Sequence, residues 1–262
     1  MDFVMLALIG SAAGLLAGVT GLAGGVVVVP ALIWIYGPEV LHAAIVASWF
    51  CVFSNSLSAA TRQWLQRTPA QRLALWHSTR WYLVGAALVS GSAALVAVEY
   101  RGIVSAPLVG VLQLALVAAI LLPSPAADGR RWQQPAGDLG LGALVGGLST
   151  LTGTGGGCYT IAYLICAAGL HLRDAVAAAT LTGTVVGGLG VLGYLVSITL
   201  WPHTASHALA GPLDGWGLAV LVMAGAIAAP FGVGAARRLS TPLLRQLMAA
   251  ALGVSALRLL LT

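Results

Sequence analysis

Eight apolar runs follow one another along the chain, at about 3–36, 41–60, 81–98, 103–122, 139–169, 174–200, 213–234 and 243–261. Little polar sequence separates them. An apolar run of about 18 residues or more is long enough to cross a bilayer as a helix. Charged residues make up 7% of the chain and hydrophobic ones 59%. A soluble domain carries about a quarter charged residues. This chain therefore lacks the polar surface to meet water on all sides. Its fold class is all-α and polytopic, with the lipid bilayer as its first partner.

The net charge is +5, and all 12 basic residues are arginine. In a membrane chain such a balance reflects cytoplasmic loops, so no nucleic-acid partner is expected. Cys51, Cys158 and Cys166 lie in apolar runs, at spacings that match no zinc or thioredoxin pattern. The N-terminal MDFVMLALIG has an acid and no base before its apolar run, so it does not read as a cleaved signal peptide. There is no H-E-x-x-H, no G-x-S-x-G and no Walker run with its lysine. No catalytic residue, metal site or cofactor is assigned, and the chain is not expected to be an enzyme.

Two of the runs are broken by glycine: GLAGG at 21–25 and GTGGG at 153–157. Pairing each residue with the one 132 positions later aligns them. Gly14 meets Gly146, Thr20 meets Thr152, Gly21 meets Gly153, and Gly24 and Gly25 meet Gly156 and Gly157. Beyond the break, Gly37 meets Gly169 and Ala47 meets Ala179. The chain thus divides into a membrane repeat over 1–122, a cytoplasmic linker over 123–137 and a second repeat over 138–262. Each repeat holds one broken block and three further spans. Matching interrupted segments in two halves point to a transporter's binding site.

The arginines choose between parallel and inverted halves. They cluster at Arg62, Arg67, Arg72 and Arg80; at Arg130 and Arg131; at Arg173; and at Arg237, Arg238 and Arg245. If each broken block enters the membrane and returns, all four clusters share one side, as cytoplasmic loops should. A returning block plus three spans is an odd number of crossings, so the halves are expected to be inverted. Non-helical backbone at membrane depth is tolerated only in a cavity or against protein. Half-helix N-termini beyond each break would aim N–H groups at the gap and favour an anion. The expected cradle is Thr20, Gly21, Gly24, Gly25, Thr152, Gly153, Gly155, Gly156 and Gly157, with Thr154 nearby.

These elements resemble the sulfite exporter TauE/SafE family. The resemblance rests on the run from Gly18 to Pro30, the second copy from Gly153 to Gly157, and the elements Ala43 with Ser48 and Ala175 with Thr180. It covers nearly the whole chain. It implies a permease of the bacterial inner membrane for a small sulfur-containing anion, such as sulfite or an organosulfonate, often moved outward. The chain departs from the family pattern at Ala23, where glycine is usual, and at Ala162, the counterpart of Pro30. Cys158 follows the second glycine run. A buried cysteine is ordinarily a small hydrophobe, yet a sulfur beside the cradle keeps it on the site list.

Other candidates follow from burial and polarity. Asn55 lies deep in the second run, where a buried amide needs a partner. It either meets substrate or ties helices together. Ser48 and Thr180 extend the cradle. Thr182 and Thr184 are expected to bond their own helix backbone. Gln113 and Trp49 are weaker, with Trp49 read as packing. Glu39, His42, His171 and Asp174 follow the broken blocks and are the candidates for proton coupling. Asp174 is also placed to cap the next helix. His203 and His207 fall in the presumed outer loop. The rival functions are an anion channel of half-helix type, a thiol relay through Cys158 and a metal permease. A homo-oligomer is left open.

Overall fold

The computed structural model describes residues 2–100, 105–121, 135–166, 169–201, 209 and 213–261. Ten α-helices lie among them. They are α1 (Asp2–Thr20), α2 (Gly25–Tyr36), α3 (Leu41–Leu65), α4 (Pro69–Glu99), α5 (Ala106–Leu121), α6 (Pro135–Thr152), α7 (Gly157–Cys166), α8 (Leu172–Leu200), α9 (Gly215–Ala236) and α10 (Thr241–Leu260). A single 3₁₀ turn, Pro38–Val40, joins α2 to α3. Six helical stretches are long and apolar enough to cross a membrane: those of α1, α3, α4, α8, α9 and α10. The chain is a multi-pass membrane protein. The expected linker at 123–137 and its Arg130 and Arg131 fall almost wholly outside the described residues, as do His203 and His207. Helix α6 already begins at Pro135, inside the expected linker.

Helix α4 starts 12 residues earlier than its apolar run. Its 31 residues span about 46 Å, more than the hydrocarbon core needs. The added turns are polar but strongly started. Thr68 and Gln71 form a reciprocal capping box, and Pro69 occupies the first turn. Apolar counting misses such a helix because it stands partly outside the lipid.

Packing fixes the direction of each element. Gly10, Gly14 and Gly18 recur one turn apart on α1, and a Cβ on any of them would overlap the carbonyl of Leu221, Gly225 or Ala229 on α9. The two helices therefore run parallel in backbone contact, as small residues allow in membranes. Helix α6 lies parallel to α4 in the same way, with Gly142 against Tyr82 and Gly146 against Ala86. At the centre α3 and α8 run antiparallel, Gly183 facing Ser56, Gly187 facing Phe53 and Gly190 facing Trp49.

One face collects the arginines. Arg67, in the turn after α3, bonds Asp174 at the start of α8 at 2.8 Å. Both line a cavity with Arg237, after α9, and Leu244 of α10. Three of the four expected clusters thus share this face. Helix α1 runs toward it with α9, and α2 runs back to the start of α3. Helix α6 runs away from it with α4. Helix α7 returns, its Tyr163 donating to Asp138 near the start of α6 and its Cys166 reaching Ala119 near the end of α5. Each glycine break is the bend of a hairpin with unequal arms.

The α1–α9 contact gives a direct test. Gly14→Val overfills it, an error that costs about 1–3 kcal/mol. The melting temperature of the purified variant should fall by roughly 2–12 °C. An unchanged melting temperature would show that the two helices do not meet there.

Candidate functional site

The two breaks share one backbone. Positive φ occurs at Gly21 (73°), Ala23 (63°) and Gly24 (80°), and at Gly153 (69°), Gly155 (80°) and Gly156 (76°). These are the same three places in each copy. Ala23 is the one non-glycine residue with positive φ among the described residues. A left-handed conformation costs an alanine roughly 1–2 kcal/mol. The departure at Ala23 therefore changes the side chain and not the bend.

The bends meet. A Cβ on Gly25 would overlap the carbonyl of Gly153, and one on Gly157 would overlap the carbonyl of Gly21. The crossing is packed backbone on backbone, and glycine is what permits it. It lies beside the middle of α3, with Gly153 against Ser48 and Gly24 against Asn55. It lies beside the first half of α8, with Gly21 against Val176. Helices α2 and α7 start here, 12 and 10 residues long. Their first N–H groups have no acceptor within their own helix. Both helix starts carry partial positive charge.

The side chains around the crossing are polar and buried. The Ser48 hydroxyl donates to the Gly153 carbonyl at 2.8 Å and tethers α3 to the second break. The Thr20 hydroxyl donates to the Leu16 carbonyl at 2.6 Å and accepts the Leu22 N–H at 3.3 Å. Thr152 and Thr154 lie 2.9 Å apart through their hydroxyls. Trp49 donates its indole N–H to the Thr150 carbonyl at 2.9 Å, so it packs and also ties. Asn55 is fully buried, and neither atom of its amide has a partner in the protein. Its nitrogen would lie 2.8 Å from a Cβ on Gly24. The structure thus brings an unsatisfied amide to the first break.

Sequence reasoning missed Ser149 and Tyr159. The Ser149 hydroxyl is buried and unpartnered and lies beside Gly156. The Tyr159 hydroxyl, one turn into α7, is also unpartnered. Their place one turn from a break was the available signal. Asp138, buried and bonded to Tyr163, was missed as well.

Other candidates stand apart. Thr180 donates to Gln63 at 3.1 Å, on the arginine side of the crossing. Thr182 and Thr184 bond the carbonyls of Ala178 and Thr180, as expected of threonines in a helix. Gln113 is buried with its carbonyl oxygen unpartnered. Cys158 is a buried free thiol in the first turn of α7. The four titratable candidates split. Glu39, in the 3₁₀ turn before α3, and His42, in the first turn of α3, lie on one face, while His171 and Asp174 sit at the start of antiparallel α8, on the opposite face. The capping role expected of Asp174 is corrected. His171 occupies the cap position, and Asp174 lies within the first turn with its carboxylate drawn to Arg67. An ion pair with a rigid guanidinium outcompetes a cap that Asp174 is three residues too late to make.

The family model described as Sulfite exporter TauE/SafE matches residues 6–259. No curated protein and no solved structure matches the chain.

The unsatisfied amide yields a stability prediction. Asn55→Leu keeps the shape and removes a buried polar group that gains nothing from the protein. The melting temperature of the ligand-free protein should stay level or rise, by the equivalent of up to ~2 kcal/mol. A clear fall would mean that the amide is bonded within the protein.

Proposed function

The chain belongs to the sulfite exporter TauE/SafE family, whose members are transporters and not enzymes, and from that premise we propose a secondary transporter of sulfite or an organosulfonate. Its substrate anion is held beside the crossed breaks, and its direction is outward across a bacterial inner membrane. The observation that carries this reading is the crossing itself. Two helix starts converge beside the middle of α3, and the buried Asn55 amide beside them has no partner. N–H groups, hydroxyls and an amide suit an oxyanion. They bind it without a buried cation, which would be costly at that depth.

Support for two inverted repeats comes from exchanging the halves. Replace α1 to α5 by α6 to α10 and the packing maps onto itself. Helix α1 on α9 becomes α6 on α4, α3 on α9 becomes α8 on α4, and α2 on α10 becomes α7 on α5. The pairs α3 with α8 and α5 with α10 map onto themselves. The glycine contacts exchange too, Gly25 on Gly153 becoming Gly157 on Gly21. The first half enters from the face opposite the arginines and the second from the arginine face. Inverted halves favour rocking of one against the other around a fixed site. A packed crossing favours that mechanism over the open pore of a channel. Glu39 and His42 at one mouth, and His171 and Asp174 at the other, are the groups through which protons would couple.

The test is flux in proteoliposomes. Sulfite entry should saturate and should be accelerated by sulfite trapped inside. Asn55→Leu should raise KM about tenfold, the loss of one hydrogen bond to a charged group. Gly156→Val should abolish flux. Flux that rises linearly with concentration and shows no counterflow would make the protein a channel. Labels at Gln66 and Arg238 should react from one face and a label at Glu39 from the other; any other pattern would end the inverted arrangement.

A further inference from the structure

A polar cavity of about 410 Å³ opens on the arginine face. Arg67, Arg173, Arg237, His171 and Asp174 line it, with three glutamines. Asp174 offsets the charge of Arg67 at 2.8 Å. That is the one ion pair recorded among the described residues. Arg173 and Arg237 are exposed at the rim, and neither forms an ion pair among the described residues. The cavity therefore carries an excess of about two positive charges over walls of low dielectric, which concentrates a field on the space they enclose. The amides of Gln63, Gln66 and Gln71 add uncharged donors.

The inner end of the cavity reaches the site. Val19 and Val176 form part of its wall. Val19 precedes Thr20, and Val176 packs against Gly21. Gln63, also on the wall, accepts the Thr180 hydroxyl. On the other face Trp49, Tyr194, Val98 and Ala94 form one buried apolar cluster, and Phe50 meets Tyr194 edge to face at 5.9 Å. A larger cavity of about 740 Å³ lies on the flank between α3 and α4, but leucines and tryptophans dominate its walls.

We propose that the 410 Å³ cavity is an anion-collecting vestibule, the open mouth of the path on the arginine face, in which Arg173 and Arg237 hold a small oxyanion before it reaches the breaks. The proposal rests on the transporter reading for its place on a path. Its electrostatic content stands independently. The two arginines raise the local concentration of anions and repel cations. The Arg67–Asp174 pair spans the turn after α3 and the start of α8, so it braces the wall without adding net charge. The vestibule sets how readily substrate enters from this face.

The experiment labels Gln63→Cys in the purified full-length protein with two water-soluble methanethiosulfonates of similar size. One carries a sulfonate and the other a quaternary ammonium. Rates are corrected for the reagents' reactivity toward 2-mercaptoethanol and for labelling of the parent's own cysteines. At low salt the anionic reagent should react at least about fivefold faster, a modest share of the enhancement that steering gives. The bias should vanish at high ionic strength and in the double variant Arg173→Gln/Arg237→Gln. Both arginines are exposed, so that variant should fold. Equal rates in the arginine-bearing protein would overturn the proposal. So would failure to label Gln63→Cys by either reagent when Gln66→Cys is labelled. Sulfite flux in the same double variant separates this proposal from the reading beneath it. A KM raised about tenfold from the arginine face alone, with Vmax kept, places the vestibule on the path. Saturable flux with no labelling bias leaves the transporter and removes the vestibule. A labelling bias with no sulfite flux in the parent keeps the anion cavity and removes its role in transport.

Discussion

Backbone that leaves a helix inside a membrane must find partners within the protein, because lipid supplies none. Everything about the centre of this molecule follows from that requirement. Each glycine break frees N–H and C=O groups at depth, and each is buried against the other break and against α3 and α8. Ser48 gives its hydroxyl to the Gly153 carbonyl, and Trp49 gives its indole N–H to the Thr150 carbonyl. The breaks are mutually dependent. Neither would survive alone facing hydrocarbon. The groups left over are donors at helix starts, the Asn55 amide and the hydroxyls of Ser149 and Tyr159.

Much of this was legible in the sequence. Most of the spans, the positions of the breaks and the shared face of three arginine clusters follow from apolar length, glycine register and arginine clustering; the run at 103–122 gives only the 16-residue α5, short of a span. Those signals come from transfer energy and backbone freedom, which act locally. The early start of α4 was not legible, because capping and helix propensity work there without hydrophobicity. Nor was the fate of Asp174. Its pairing with Arg67 spans 107 positions in sequence and depends on how α3 and α8 cross. Ser149 and Tyr159 escaped for a similar reason. A serine or tyrosine in a helix is ordinary until the fold places it at a bend without a partner.

The two halves are alike in backbone and unlike in side chain. Ala23 holds the same left-handed conformation as Gly155, yet its methyl group fills space at the crossing near Gly155 and Gly183. Asn55 has Gly187 as its counterpart, and Thr180 has Ser48. Matching backbone bends and glycine contacts thus coexist with unlike side chains at the crossing.

The glycine stripe of α1 also bears on how the protein is made. Gly18 meets Ala229, so about 210 residues must be added after α1 leaves the ribosome before its partner exists. At 5–20 residues per second that delay is roughly 10–40 s. Helix α4, by contrast, meets α6 after some 60 residues. During the wait α1 presents a face of bare backbone and small side chains to lipid or to the insertion machinery. The second half can gather around α4 and α8 first, and the chain's beginning is then among the last parts to reach its final place.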